Sequence, residues 1–145
     1  MRPIAIPADR LRDIYDHARA TFPAECCGYL AGDALVVVRC TNAQASGANP
    51  VAPERGEDTG FVIAGRELYM FARSFDTAEP ARVVYHSHTN GRAYFSDVDQ
   101  AIAAGPAYPV QHLVVGVTAA GVTEAAQFAW SAAARGYVEI SRWAA

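Results

Sequence analysis

Lysine is absent from this chain of 145 residues, and all 12 basic residues are arginine. The arginines form no cluster, and the formal net charge is −3. That balance excludes a basic surface for nucleic acid as the main business of the protein. Cysteine is scarce and odd in number, three in all, so no disulfide framework is expected. A reducing, cytoplasmic setting is the default. Adjacent Cys26 and Cys27 cannot bond each other without strain, and neither belongs to a Cys-x-x-Cys pair. No stretch approaches the roughly 20 apolar residues of a membrane span, and Met1 to Pro7 is too short in apolar content for a signal peptide. What remains is 52% hydrophobic and 19% charged, the composition of a compact protein. The reading is one domain over 1–145, long enough to bury about two thirds of its unfolded surface.

The informative segment is His86-Ser87-His88, followed after seven residues by Ser96 and then by Asp99. It continues Arg82-Val83-Val84-Tyr85, a β-branched and aromatic run that reads as a strand. Alternate strand residues share a face and lie about 7 Å apart along the backbone. His86 and His88 therefore point the same way, close enough for both imidazoles to converge on one metal ion. Ser96-x-x-Asp99 before Val98, Ala101 and Ile102 has the form of a capping box at a helix start. The capping serine fixes that start and presents Asp99 toward the strand end as a third ligand. Two histidines and one carboxylate leave one vertex of a tetrahedral zinc site for water, as a hydrolytic site requires.

His86-Ser87-His88-x7-Ser96-x2-Asp99 resembles the signature of the JAMM (MPN+) metalloproteases. That family also calls for an upstream glutamate, and Pro23-Ala24-Glu25-Cys26-Cys27-Gly28 supplies one in wording similar to the small prokaryotic members. The resemblance runs from about Ile4 to Tyr137. It implies zinc held by His86, His88 and Asp99, with Glu25 beside the water as the proton shuttle. It also implies that Ser96 donates a hydrogen bond to the oxyanion. The implied substrate is a ubiquitin-like sulfur carrier protein with a C-terminal Gly-Gly. Cleavage of the amide after the diglycine releases cysteine or a short extension.

The rest of the chain reads as an α+β fold: a single MPN/JAMM-like domain with a curved mixed β-sheet flanked by helices. Strands are expected at Ile4–Ile6, Cys27–Ala31, Ala34–Cys40, Phe61–Ile63, Val83–Ser87, Gln111–Val117, Glu124–Trp130 and Tyr137–Ile140. Helices are expected at Ala8–Phe22, Gly65–Phe75 and Ser96–Ala104. The polar, Gly- and Pro-rich stretch from Thr41 to Gly60 reads as a mobile loop and a lid over the substrate tail. Of the two adjacent cysteines, one is expected to face the core and the other the site. His17 reads as a helix-surface residue, while His112 opens a strand without ligand spacing. Tyr94 and Phe95 either line the substrate channel or pack.

Three rival functions stand beside the peptidase. A non-catalytic MPN-type scaffold that binds protein partners loses ligands or the glutamate, and all five positions are filled here. A zinc nucleoside deaminase needs a Pro-Cys-x-x-Cys pair, which is missing. A JAMM protease of a phage-tail or secondary-metabolite pathway has the same site and a different substrate. No membrane or nucleic-acid partner is expected, and exposed sheet edges leave a homodimer possible.

Overall fold

The structure is a computed structural model that describes residues 1–43 and 61–145. Among the described residues, three helices flank one open sheet. In chain order they are α1 (Ala8–Thr21), β1 (Cys27–Ala31), β2 (Val36–Cys40), α2 (Gly65–Ser74), β3 (Ala81–His88), α3 (Asp97–Ala104), β4 (Gln111–Thr118), β5 (Gly121–Ser131) and β6 (Gly136–Ala144). The strand order is β2-β1-β3-β4-β5-β6. Among the described strands only the β3–β4 pair is parallel, and the other four pairs are antiparallel. The expected α+β class with a mixed sheet is what forms. No described helix is long and apolar enough to cross a membrane.

β3 and β4 lie at the centre, and both are buried along nearly their whole length. Strands covered on both faces read as continuous apolar runs rather than as alternation, hence Val83-Val84-Tyr85 and Leu113-Val114-Val115. One face packs against α1 through Ile14 and Ala18, which meet Cys26, Leu30, Val83, Tyr85 and Leu113. The opposite face carries Cys27, Tyr29 and Val84 under Phe71 of α2. Further along that second face lie Val114, Ala126 and Phe128, with Ala103 of α3 against them. The histidines of β3 belong to the second face, between the two short helices.

The two cysteines divide as expected, Cys26 into the α1 core and Cys27 onto the site face opposite His86. Burial pushes the thiols of Cys26 and Cys40 up to about 12, and that of Cys27 up as well. Such thiols are packing groups, since nucleophilicity and metal binding need the thiolate.

Two expected strands do not form. Ile4–Ile6 joins no ladder; Pro3 and Pro7 flank it and lack the N–H that pairing uses. Side-chain amides hold it instead: Ile4 N–H donates to Gln111 Oε1 at 2.9 Å and Gln127 Nε2 donates to the Ile4 carbonyl at 3.0 Å. Phe61–Ile63 is irregular, tied by Ala43 N–H to the Val62 carbonyl at 2.8 Å. β2 starts at Val36 rather than at Ala34, because Leu35 turns at φ 51°. The lid expected at Thr41 to Gly60 falls at residues 44–60 outside the described residues.

β1 and β3 meet closely at Gly28. A Cβ there would stand 2.5 Å from the Tyr85 phenol oxygen. Tyr85 is fully buried, and its hydroxyl lies 2.7 Å from His17 Nδ1. His17 is thus a half-buried partner of the core rather than a free surface residue. Gly28→Ala is expected to lower stability by about 1–3 kcal/mol through overpacking. The Val38 carbonyl of β2 stands at least as near, so a urea midpoint equal to that of the unsubstituted protein would show that both the β2 backbone and Tyr85 give way.

Candidate metal centre

The site is assembled from the end of β3, the start of α3 and the residue just ahead of β1. Strand alternation sends His86 and His88 to one face. Ser96 caps α3 with its hydroxyl accepting from Asp99 N–H at 3.0 Å, and Asp99 Oδ2 accepts from Ser96 N–H at 2.9 Å. This is the capping box expected from the sequence. It does more than start a helix, because Asp99 Oδ2 also faces both imidazoles. The His86 Nε2 to His88 Nε2 distance is 3.0 Å, and Asp99 Oδ2 lies 3.2 Å and 3.1 Å from them. All three residues are buried.

These separations fit a metal ion. Ligands about 2.0–2.1 Å from a tetrahedral zinc stand roughly 3.3 Å from one another. Hydrogen bonding alone accounts for the triangle poorly. A proton on each Nε2 would satisfy the carboxylate and set two N–H groups against each other at 3.0 Å. A cation satisfies all three lone pairs at once. Ligand atoms of Glu25, His86 and His88 also lie within 4.8 Å of one another. Glu25 is buried, and its carbonyl accepts from Asn42 Nδ2 at 3.0 Å.

Electrostatics draw a positive charge to this point, whether a proton or a cation. Burial by itself would lower the His86 pKa, but the Asp99 charge and hydrogen bond, helped by Glu25, raise it above the ordinary 6.5. Burial would raise the pKa of Asp99, yet the charges and hydrogen bonds of His86 and His88 hold it well below the usual carboxylate range. A carboxylate that stays ionised while buried among imidazoles is a good cation ligand.

The surroundings fix these groups. Phe61 stacks on His86 with ring centroids 4.3 Å apart, and Tyr94 meets His88 edge-on at 4.3 Å. Phe95 packs with His112, Phe128 and Tyr137, so the two aromatics of the loop between His88 and Ser96 separate, one exposed at the site and one inside. That loop is pinned to the sheet. Ala93 N–H donates to Glu124 Oε2 at 2.8 Å, and Arg142 pairs with the same carboxylate at 2.8 Å. A Cβ at Gly116 would stand 2.5 Å from the Gly91 carbonyl carbon, so only glycine lets the loop lie so close.

The sequence reading assigned no site role to two residues found here. Ser87, between the histidines, turns to the other face, where its Oγ accepts from Cys26 N–H at 2.8 Å while Ser87 N–H donates to the Cys26 carbonyl at 3.1 Å. It thereby fixes the backbone next to Glu25. Its signal was a small hydroxyl at a buried position of a central strand, which must find a local partner. The second is His112. It sits beside Val84 in register and lines a cavity of about 330 Å³ between α2 and α3 that also reaches Asp99. Burial pushes its pKa down to about 3, His86 adds to this, and Asp99 partly opposes it. Its Nδ1 is buried without a hydrogen-bond partner among the described residues. Nothing in local spacing marks it, because the cavity exists only once α2 and α3 cover the sheet.

The His112 shift carries a pH dependence. Below its ordinary 6.5 the unfolded chain takes up a proton that the folded protein refuses until about 3. This residue therefore costs stability as pH falls through that window, at up to about 1.4 kcal/mol per pH unit. His112→Phe is expected to gain stability relative to the unsubstituted protein between pH 7 and pH 5, measured as paired urea titrations. A difference independent of pH would show that the folded imidazole accepts the proton.

Comparison with known proteins gives a consistent result. The family described as prokaryotic homologs of the JAB domain matches residues 7–132. The proteins named CysO-cysteine peptidase of Mycobacterium bovis and Mycobacterium tuberculosis are 32% identical over 108 residues, covering 71% of this chain and 67% of theirs. Among solved structures, a protein from Salinibacter ruber aligns with a TM-score of 0.62 at 21% identity, over 95% of this chain and 89% of that one. Protein DSY2949 from Desulfitobacterium hafniense aligns with a TM-score of 0.56 at 18% identity, over 92% and 87%. At those identities the structural likeness speaks for the fold alone.

Proposed function

Because the chain belongs to the prokaryotic JAB-domain family, we propose that it is a zinc-dependent peptidase or isopeptidase acting on a ubiquitin-like sulfur carrier. Its reaction is hydrolysis of the amide after the carrier's C-terminal Gly-Gly, releasing cysteine or a short extension. One observation supports this above the others: Nε2 of His86, Nε2 of His88 and Oδ2 of Asp99 stand 3.0–3.2 Å apart, with a ligand atom of Glu25 within 4.8 Å of the histidines. The named peptidase relatives support the carrier as substrate.

His86, His88 and Asp99 hold the ion in this reading. A zinc ion held there would supply Lewis acidity toward a carbonyl and make water nucleophilic near neutral pH. Glu25 takes the proton that water gives up and passes it to the departing amine, which cannot leave as an anion. Its buried position keeps bulk water from competing for that proton. The Ser96 hydroxyl accepts from Asp99 N–H, which leaves its own proton free to donate to the developing oxyanion. Ser96→Ala is expected to lower kcat by about 10²–10³ with little change in KM. It also removes the α3 cap, a loss of about 0.5–2 kcal/mol. A kcat unchanged in the folded variant would remove Ser96 from the chemistry.

The reading is tested by incubating the zinc-loaded protein with a carrier extended by cysteine after Gly-Gly, with and without a chelator. Chelator-sensitive release of free cysteine is the expected result. Failure of the zinc-loaded protein on several such carriers would refute the substrate assignment, and absence of stoichiometric metal would favour a scaffold.

A further inference from the structure

Glu25 lies two residues ahead of Cys27, the first residue of β1 and the register partner of His86. A general base placed before a strand needs its main chain fixed, because a carboxyl is aimed no better than the backbone that carries it. Two segments supply this. Ser87 takes both backbone groups of Cys26, through its hydroxyl and its own N–H. From the end of β2, Asn42 Nδ2 donates to the Glu25 carbonyl at 3.0 Å.

Asn42 is itself pinned through both neighbours. Thr41 N–H donates to Glu67 Oε1 in the first turn of α2 at 2.8 Å, and Ala43 N–H donates to the Val62 carbonyl at 2.8 Å. Its amide works in two directions. While Nδ2 donates to Glu25, Oδ1 accepts from Val62 N–H at 3.1 Å. Val62 follows Phe61, whose ring stacks on His86 with centroids 4.3 Å apart. One side chain thus joins the backbone of Glu25 to the segment that covers His86.

A carbonyl only accepts and a backbone N–H only donates, so this bridge needs a donor and an acceptor on one short planar group. Asparagine carries both. Aspartate would keep the bond from Val62 and set a negative oxygen against the Glu25 carbonyl. Leucine, of similar size, would make neither bond.

The geometry points to Asn42 as a positioning residue for Glu25: its amide ties the Glu25 main chain to the Phe61–Val62 segment and so holds the carboxyl at the metal centre. The inference rests on the peptidase reading for its reaction. Asn42 acts through Glu25 and takes no part in bond breaking. Metal binding is not expected to depend on it, since the three closely spaced ligand atoms belong to His86, His88 and Asp99. Its loss therefore falls on kcat rather than on KM or zinc content.

The test compares zinc-loaded Asn42→Asp and Asn42→Leu with the unsubstituted protein, Asn42→Ala replacing leucine if that variant does not fold. Two readouts need no turnover. Hydrogen exchange of the Val62 amide is expected to be unchanged in Asn42→Asp and faster by about 10-fold or more in Asn42→Leu. Equal protection in all three proteins would overturn the bridge. The ¹³C resonance of the Glu25 carboxyl is expected to move in both variants, and a resonance unmoved in Asn42→Leu would overturn the positioning role. On a Gly-Gly-Cys carrier both variants are expected to lose about 10–100-fold in kcat, with KM within about 2-fold and one equivalent of zinc retained. A loss in one variant alone would overturn the proposal, since only the bond to Glu25 is absent from both. Unchanged kcat in both would do the same. Absence of cleavage by the unsubstituted protein would instead refute the peptidase reading, and the Val62 exchange and Glu25 resonance would then decide whether Asn42 holds Glu25.

Discussion

Glu25→Gln is expected to keep a full complement of bound metal and to lose turnover by about 10²–10⁴-fold. The substitution preserves the shape of a buried side chain and removes its ability to take a proton. Glu25 is buried, and its neighbours Asn42 and Cys26 hold it through backbone atoms, the Glu25 carbonyl and the Cys26 N–H. Those contacts survive the change, so the variant should fold. The three closely spaced ligand atoms come from His86, His88 and Asp99, so the metal should stay. Metal content by elemental analysis beside kcat on a Gly-Gly-Cys carrier separates the two effects. Full activity in a metal-replete Glu25→Gln protein would show that another group moves the proton. Loss of the metal together with activity would make Glu25 a ligand.

His88→Ala is expected to lose both metal and activity, the latter to background. It removes one corner of the triangle and leaves His86 and Asp99 as a pair 3.2 Å apart, and two donors hold a divalent ion far more weakly than three. The remaining pair is better satisfied as a hydrogen-bonded imidazolium and carboxylate than as a metal site, since Asp99 already raises the His86 pKa. Competition against a chromophoric chelator measures the affinity directly. Retention of one equivalent of zinc at the affinity of the unsubstituted protein would remove His88 from the ligand set. His88→Ala and Glu25→Gln thus predict opposite metal contents for a shared loss of activity.

The segment carrying His86, His88 and Asp99 was legible because its geometry is local. Period-two alternation on β3 aims His86 and His88 together, and a capping box sets Asp99 one turn into α3. Both follow from backbone sterics acting over a few residues. The same holds for α1, for the turn into β2 and for the ends of β4, β5 and β6, each of which falls within a few residues of its sequence pattern. Where local pattern misled, it met a competitor. Ile4–Ile6 has strand composition, but its flanking prolines lack N–H donors and side-chain amides took its carbonyl and N–H.

By itself, the sequence determined most of the elements and where His86, His88 and Asp99 stand on them, because strand alternation, helix capping and proline stops need no distant partner. Tertiary structure alone decided that one oxygen of Asp99 meets both imidazoles, and that Glu25, 61 residues before His86, lies within 4.8 Å of it. It also decided that Ser87 grips Cys26 and that His112 ends in an aromatic cavity. These contacts join segments far apart in the chain, and only the order of strands in the sheet and the helices laid over it bring them together.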